Sequence, residues 1–101
     1  MMTRLELHEI LCEALGSRNV YFQPPELIKM KYPAIVYSRS DISNTYADDT
    51  AYLTSKEYLI TVIDKDPDSE IPDRISKLPL CRFDRHYTAD NLNHDVFTIN
   101  V

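Results

Sequence analysis

Apolar positions recur along this 101-residue chain first at helical and then at strand spacing. Leu7, Ile10, Leu11, Ala14 and Leu15 fall on one helical face, and Glu6, Glu9 and Glu13 lie off it. Thr3 can cap, and Glu6 three residues later completes a capping box that satisfies two otherwise unpaired N–H groups. Gly16 follows the last periodic residue, where a left-handed position costs glycine nothing sterically. The pattern predicts a helix over residues 4–15.

Beyond Gly16 the period shortens to two. Val20-Tyr21-Phe22 reads as a short strand closed by Pro24-Pro25, which cannot donate to a ladder. Residues 33–39 read as a second strand with Pro33 at its tolerant first position. Residues 40–50, with Asp41, Ser43, Asn44, Asp48 and Asp49, are polar and predict a long loop or a hairpin arm. Residues 51–55 and 56–64 read as strand, as one element if they join. Within them Tyr58-Leu59-Ile60-Thr61-Val62-Ile63 is apolar on both faces, the mark of a central strand covered on both sides.

Residues 64–70 form an acidic turn. Ile71, Ile75 and Leu78 then predict a second short helix starting at Ser69 or Pro72, with Asp68 or Ser69 as its cap and Pro79 ending it. Cys81, Phe83 and Tyr87 are expected on one strand face, with Arg82, Asp84 and His86 on the other. After a turn at 89–93, Phe97, Ile99 and Val101 make a last half-buried strand. Strands in runs, not in strict alternation with helices, imply an α+β fold. Its expected form is a twisted, mainly antiparallel sheet packed with an N-terminal helix and a second short helix, in a single domain spanning 1–101.

Composition narrows the chemistry. Hydrophobic residues are 44% and charged residues 27% of the chain, a globular balance far from that of disordered or membrane proteins. The opening residues read as an amphipathic helix, unlike a secretory signal, so synthesis in the cytoplasm is expected. A single glycine excludes glycine-rich phosphate loops. Cys12 and Cys81 are too few for a disulfide scaffold and are expected as small core residues. The net charge of −5 is uneven: residues 41–73 hold nine acids against Lys56 and Lys65, leaving −7 there and +2 elsewhere. Nucleic-acid gripping calls for the reverse, a basic stripe. Such acid solubilises a surface, or lines a passage through which DNA slides without adhering.

Few residues stand at diagnostic spacings. The stretch Asp64-Lys65-Asp66-Pro67-Asp68-Ser69-Glu70 begins like a calcium loop, but Ser69 takes the glycine position and Ile75 the bidentate glutamate position. Asp64, Asp66 and His94 could serve a small metal-dependent hydrolase, although the chain has no His-Glu-x-x-His and no Cys-x-x-Cys. The seven tyrosines, with no tryptophan, suit either the margin of a core or subunit contacts. Tyr46, inside the polar stretch, is the one least suited to the core.

An ordered set of segments resembles the tail completion or tail terminator proteins of long-tailed bacteriophages and prophages. The set comprises the leading helix, Tyr32-Pro33-Ala34-Ile35-Val36-Tyr37, Asn44-Thr45-Tyr46-Ala47-Asp48 and Tyr58 to Asp66. It continues with the short helix holding Ile71 and Ile75, Phe83 to Tyr87, and Val96-Phe97-Thr98-Ile99. The resemblance implies a homohexameric ring in the virion neck that ends the tail tube and joins it to the head connector or stopper protein. DNA would pass through its lumen without sequence-specific binding. It implies no catalytic residues, no metal, no cofactor and no membrane partner. A head-side stopper or adaptor ring is the neighbouring alternative, and a host-side adaptor domain a more distant one. By position, Asp41, Asn44, Thr45, Tyr46, Ala47, Asp48 and Asp49 match the family's inter-subunit or inter-ring loop. Asp48, Asp49, Asp64, Asp66 and Asp68 are the acidic residues suited to a lumen.

Overall fold

The computed structural model describes residues 3–25, 29–47 and 51–101, with side chains described outside 43–55. The order of elements is α1 (Arg4–Leu15), β1 (Val20–Phe22), β2 (Ala34–Ala47), β3 (Ala51–Asp64), α2 (Ile71–Ser76), β4 (Cys81–Ala89) and β5 (Leu92–Asn100). The strands form one mixed sheet in the order β1-β2-β3-β5-β4. Only β1 and β2 run parallel, with Val20 opposite Ile35; the other pairs are antiparallel. The fold is α+β.

The ends of α1 follow its sequence signals. Thr3 Oγ1 accepts from Glu6 N–H at 3.2 Å, and the Thr3 hydroxyl donates to the Glu6 carboxylate, also at 3.2 Å. Gly16 adopts φ +83° and its N–H closes on Cys12 O at 2.8 Å. A Cβ there would meet nothing within 4 Å, so only backbone strain opposes a side chain. The cap of α2 differs from expectation. Glu70 occupies that position without a side-chain bond. Ser69 Oγ accepts from Ile71 N–H at 3.3 Å instead.

Both helices pack on one face of the sheet. Leu7, Leu11, Cys12 and Leu15 of α1 and Ile71 and Ile75 of α2 close over Ile35, Tyr37, Tyr58, Ile60, Val62, Phe97 and Ile99. Burial of each large side chain contributes about 1.5–3 kcal/mol. β3 is the middle strand, as its doubly apolar run predicts, but among the described residues no helix covers its second face. That face carries Val36, Leu59, Thr61, Ile63, Val96 and Thr98, by the register of the ladders.

Two departures from regular pairing change which residues share a face. Residues 40–47 take the hairpin-arm alternative: β2 and β3 pair from Ala34↔Ile63 to Ala47↔Ala51, with a register shift between Arg39 and Asp41. The ladder carries this polar stretch because its inward-facing N–H and C=O groups pair across the hairpin, and its polar side chains leave the outward-facing groups in water. The second departure lies in β4, where the register shifts between Phe83 and Arg85. Phe83 faces Phe97 on the helix side, whereas Tyr87 faces His94 on the other. Cys81, Phe83 and Tyr87 therefore do not share a face, because the extra residue Asp84 inverts the alternation after it. The turn between β4 and β5 is Asp90-Asn91 with φ 53° and 62°, a two-residue hairpin of the type that suits sheet twist.

Two substitutions test this packing. Ile60→Ala, at a site with no exposure, is expected to lower unfolding free energy by about 2–5 kcal/mol. Gly16→Ala should cost about 1 kcal/mol through its left-handed backbone alone. Urea denaturation measures both; an unchanged Gly16→Ala midpoint would contradict the assigned helix end.

Candidate functional site

The β2–β3 hairpin outgrows the sheet that carries it. β1 pairs with β2 only at Ile35, Val36 and Tyr37, and β5 pairs with β3 only from Glu57 to Asp64. Lys56 still exchanges backbone hydrogen bonds with Val101 at 3.2 and 2.9 Å; beyond it, residues 40–47 and 51–55 form a two-stranded ribbon with no third strand on either edge among the described residues. Eight strand residues at about 3.3 Å each make an arm of about 26 Å, and the molecule is accordingly long, 51 Å against 26 and 23 Å. A lone ribbon of this kind is marginal in water, and open edges invite a partner.

The ribbon contains most of the expected contact residues. Asp41, Asn44, Thr45, Tyr46 and Ala47 lie on β2, with Tyr46 opposite Tyr52 in register. Asp48 and Asp49 lie outside the described residues. At the ribbon's base the register shifts around Ser40, whose hydroxyl donates to Glu57 O at 3.2 Å and to Glu57 Oε1 at 2.9 Å. The shift sets Asp41 directly opposite Glu57. Like charges so placed repel. Asp41 Oδ1 accepts from Ile42 N–H at 2.8 Å, and among the described residues neither carboxylate meets a cation.

The remaining acidic residues stand elsewhere. Asp64 ends β3, about 43 Å of strand from Ala51, and Asp66 and Asp68 follow in the turn beyond it. Asp64 Oδ1 accepts from Asp66 N–H at 3.0 Å, and Asp66 Oδ1 accepts from Asp68 N–H at 2.9 Å. The carboxylates thus hold their own turn. His94 donates Nδ1–H to Leu92 O at 3.1 Å and stacks on Tyr87 at 4.6 Å. Among the described residues no three of His, Cys, Asp and Glu gather to hold a metal, so Asp64, Asp66 and His94 do not form one centre.

The tyrosines divide by role. Tyr37 and Tyr58 are core residues, 1% and 3% exposed; Tyr32 and Tyr87 are exposed, and Tyr21 is half-buried. Tyr37 carries a polar cluster absent from the sequence reading. Its hydroxyl lies 2.7 Å from His8 Nδ1 and accepts from Arg4 Nη1 at 3.3 Å, while the Arg4 guanidinium lies 4.6 Å from the centre of the Phe22 ring. Burial pushes the Tyr37 phenol up, and the Arg4 hydrogen bond opposes that shift. His8 and Arg4 sit four apart on α1, a helical spacing that was legible; their meeting with Tyr37 was not.

Both cysteines are free, Cys12 buried and Cys81 half-buried. Burial pushes the Cys81 thiol up, away from the thiolate that a nucleophile needs. A shallow depression of about 390 Å³ is lined by Glu9, Cys12, Glu13, Gly16, Ser17 and Arg18. Arg18 Nη1 bridges its mouth to both Glu9 oxygens at 2.8 and 3.0 Å. The Glu9 hydrogen bond raises the Arg18 pKa, and the pair occupies the polar lining itself.

No protein-family model matches the chain, and no curated protein matches it. Among the described residues no helix is long and apolar enough to cross a membrane.

Two solution measurements follow from these groups. The raised Tyr37 phenol keeps its proton in the folded state above pH 10, where an unfolded tyrosine loses it. Its stabilising contribution is therefore full below about pH 10 and declines as pH rises through the folded value. Absorbance titration should show one tyrosine ionising later than the rest, and Tyr37→Phe should abolish that late phase. With an aromatic disulfide reagent at neutral pH, Cys12 and Cys81 should react more slowly than free cysteine; a burst at either would mark an activated thiol.

Proposed function

We propose that this chain is a ring-forming structural subunit of the head–tail junction of a long-tailed bacteriophage or prophage. Its output is assembly geometry. The observation that carries the reading is the ribbon: an arm with two free edges, at the position where the resemblance places the loop reaching a neighbouring subunit or ring. The order of the segments Tyr32 to Tyr37, Asn44 to Asp48 and Val96 to Ile99 supports the family. The acid-rich middle of the chain supports a lumen that does not hold DNA.

The ring would end the tail tube on one side and meet the head connector on the other. Tyr46 would act through contact area and one hydrogen bond, the combination that enriches tyrosine at interfaces. Negative-stain microscopy of concentrated protein, alone and with purified tail tubes, is the direct test. Rings with a central channel seated on tube ends are expected, and Tyr46→Ala should reduce their number. Tubes that stay bare at saturating protein would remove the virion assignment.

A further inference from the structure

Two strand irregularities set opposite charges on the same side of the sheet. Arg82 stands opposite Thr98, and Arg85, after the shift at Asp84, stands opposite Val96. Thr98 and Val96 in turn face Leu59 and Thr61, so both arginines lie on the face that carries no helix. A regular strand would send residues 82 and 85 to opposite faces, since side chains alternate. At the other side of the sheet the shift around Ser40 sets Asp41 beside Glu57 on that same helix-free face. One lateral margin of the face thus carries two cations, and the β2–β3 ladder at the base of the ribbon carries two carboxylates.

Both charged patches reach solvent: Asp41 is exposed and Glu57 half-buried. β4 is an edge strand whose residues from Arg82 to Ala89 are all exposed. It alone among the five strands has a net positive formal charge, Arg82 and Arg85 against Asp84. Asp84 holds Arg85 Nη1 at 2.9 Å, and Asp95 holds His86 Nδ1 at 2.8 Å. Arg82 has no ion-pair partner among the described residues. Between the two patches runs an apolar strip in which Val36 and Leu59 are half-buried and Ile63 and Val96 are already buried, at 8% and 1% exposure.

We propose that a second copy of this chain docks across this face, its Arg82 and Arg85 reaching the Asp41–Glu57 pair of the first. The repulsion between Asp41 and Glu57 supplies the reason: a guanidinium between two carboxylates turns an unfavourable cross-strand pair into a charge-assisted one. The two patches differ in sign and lie apart on one molecule, the arrangement that joins copies in succession. The contact rests on the self-association in the reading above but not on its virion part.

Charge reversal tests it. Variant one is Arg82→Glu with Arg85→Glu; variant two is Asp41→Lys with Glu57→Lys. Each alone should self-associate about tenfold more weakly than the parent by sedimentation equilibrium at low salt. An equimolar mixture should regain the parent's association, because each acidic patch then has a basic one to meet. Parent association should also weaken as salt rises. All four residues lie on the surface or its margin, and an unchanged thermal melt confirms that each variant is folded. If a variant misfolds, Asp41→Asn with Glu57→Gln replaces the reversal and should weaken association in the same direction.

Variants that associate like the parent, a mixture that stays monomeric, or a parent monomeric up to its solubility limit would each overturn the proposal. Rescued association without binding to tail tubes would leave this contact standing and remove the virion assignment. Tube binding by variants that associate normally would do the reverse.

Discussion

Leu7, Leu11 and Leu15 from α1 and Ile71 and Ile75 from α2 close over Ile35, Tyr37, Ile60 and Phe97, and that contact orients everything else. A sheet of five strands needs at least one face removed from water, and both helices supply cover to the same one. The second face is left to carry Val36, Leu59, Ile63 and Val96 beside charged patches. β3, at the centre of the sheet, therefore has one face sealed by helices and one without helix cover, on which Leu59 and Thr61 are half-buried and Ile63 is buried. The doubly apolar run from Tyr58 to Ile63 suits that position whether its second cover comes from this chain or from another.

The two register shifts are small and consequential. Ser40 displaces the hairpin by one residue and brings Asp41 opposite Glu57; Asp84 displaces β4 and brings Arg85 to the side of Arg82. Irregularities of this kind bend a strand and re-aim its side chains at the cost of a locally disrupted ladder. Here each gathers charge of one sign on the helix-free face. The polar cluster of Arg4, His8 and Tyr37 lies across the sheet from them, at the sealed side. It satisfies the hydroxyl of a tyrosine that is otherwise in the core.

The ribbon and the helix-free face belong to different levels of assembly in the proposed function. A two-stranded arm gains little stability by itself, and its length suits reach beyond the sheet. The face, with its apolar strip and opposed charges, suits lateral contact between copies. A subunit of the proposed kind would need both surfaces, and in it the acid-rich middle of the chain would keep a polyanion from adhering.

Helix α1, from its Thr3 cap to Gly16, was legible to the residue, because capping, a 3.6-residue period and a glycine stop are local signals. The second helix, the strand at Val20, the continuous β3 and the α+β class were legible for the same reason. The stretch 40–47 read as either a loop or a hairpin arm because its side chains are polar on both faces. Pairing with β3, which no local pattern encodes, makes it strand. Tyr87 was assigned to the face of Phe83 because alternation is the only rule available within one strand; the shift at Asp84 exists only in relation to β5. What the sequence by itself determined is therefore the kind and order of elements, which depend on neighbours a few residues away. Register, the choice of a single sealed face and the gathering of Arg82 with Arg85 depend on hydrogen bonds between distant segments, and only the folded chain decides those.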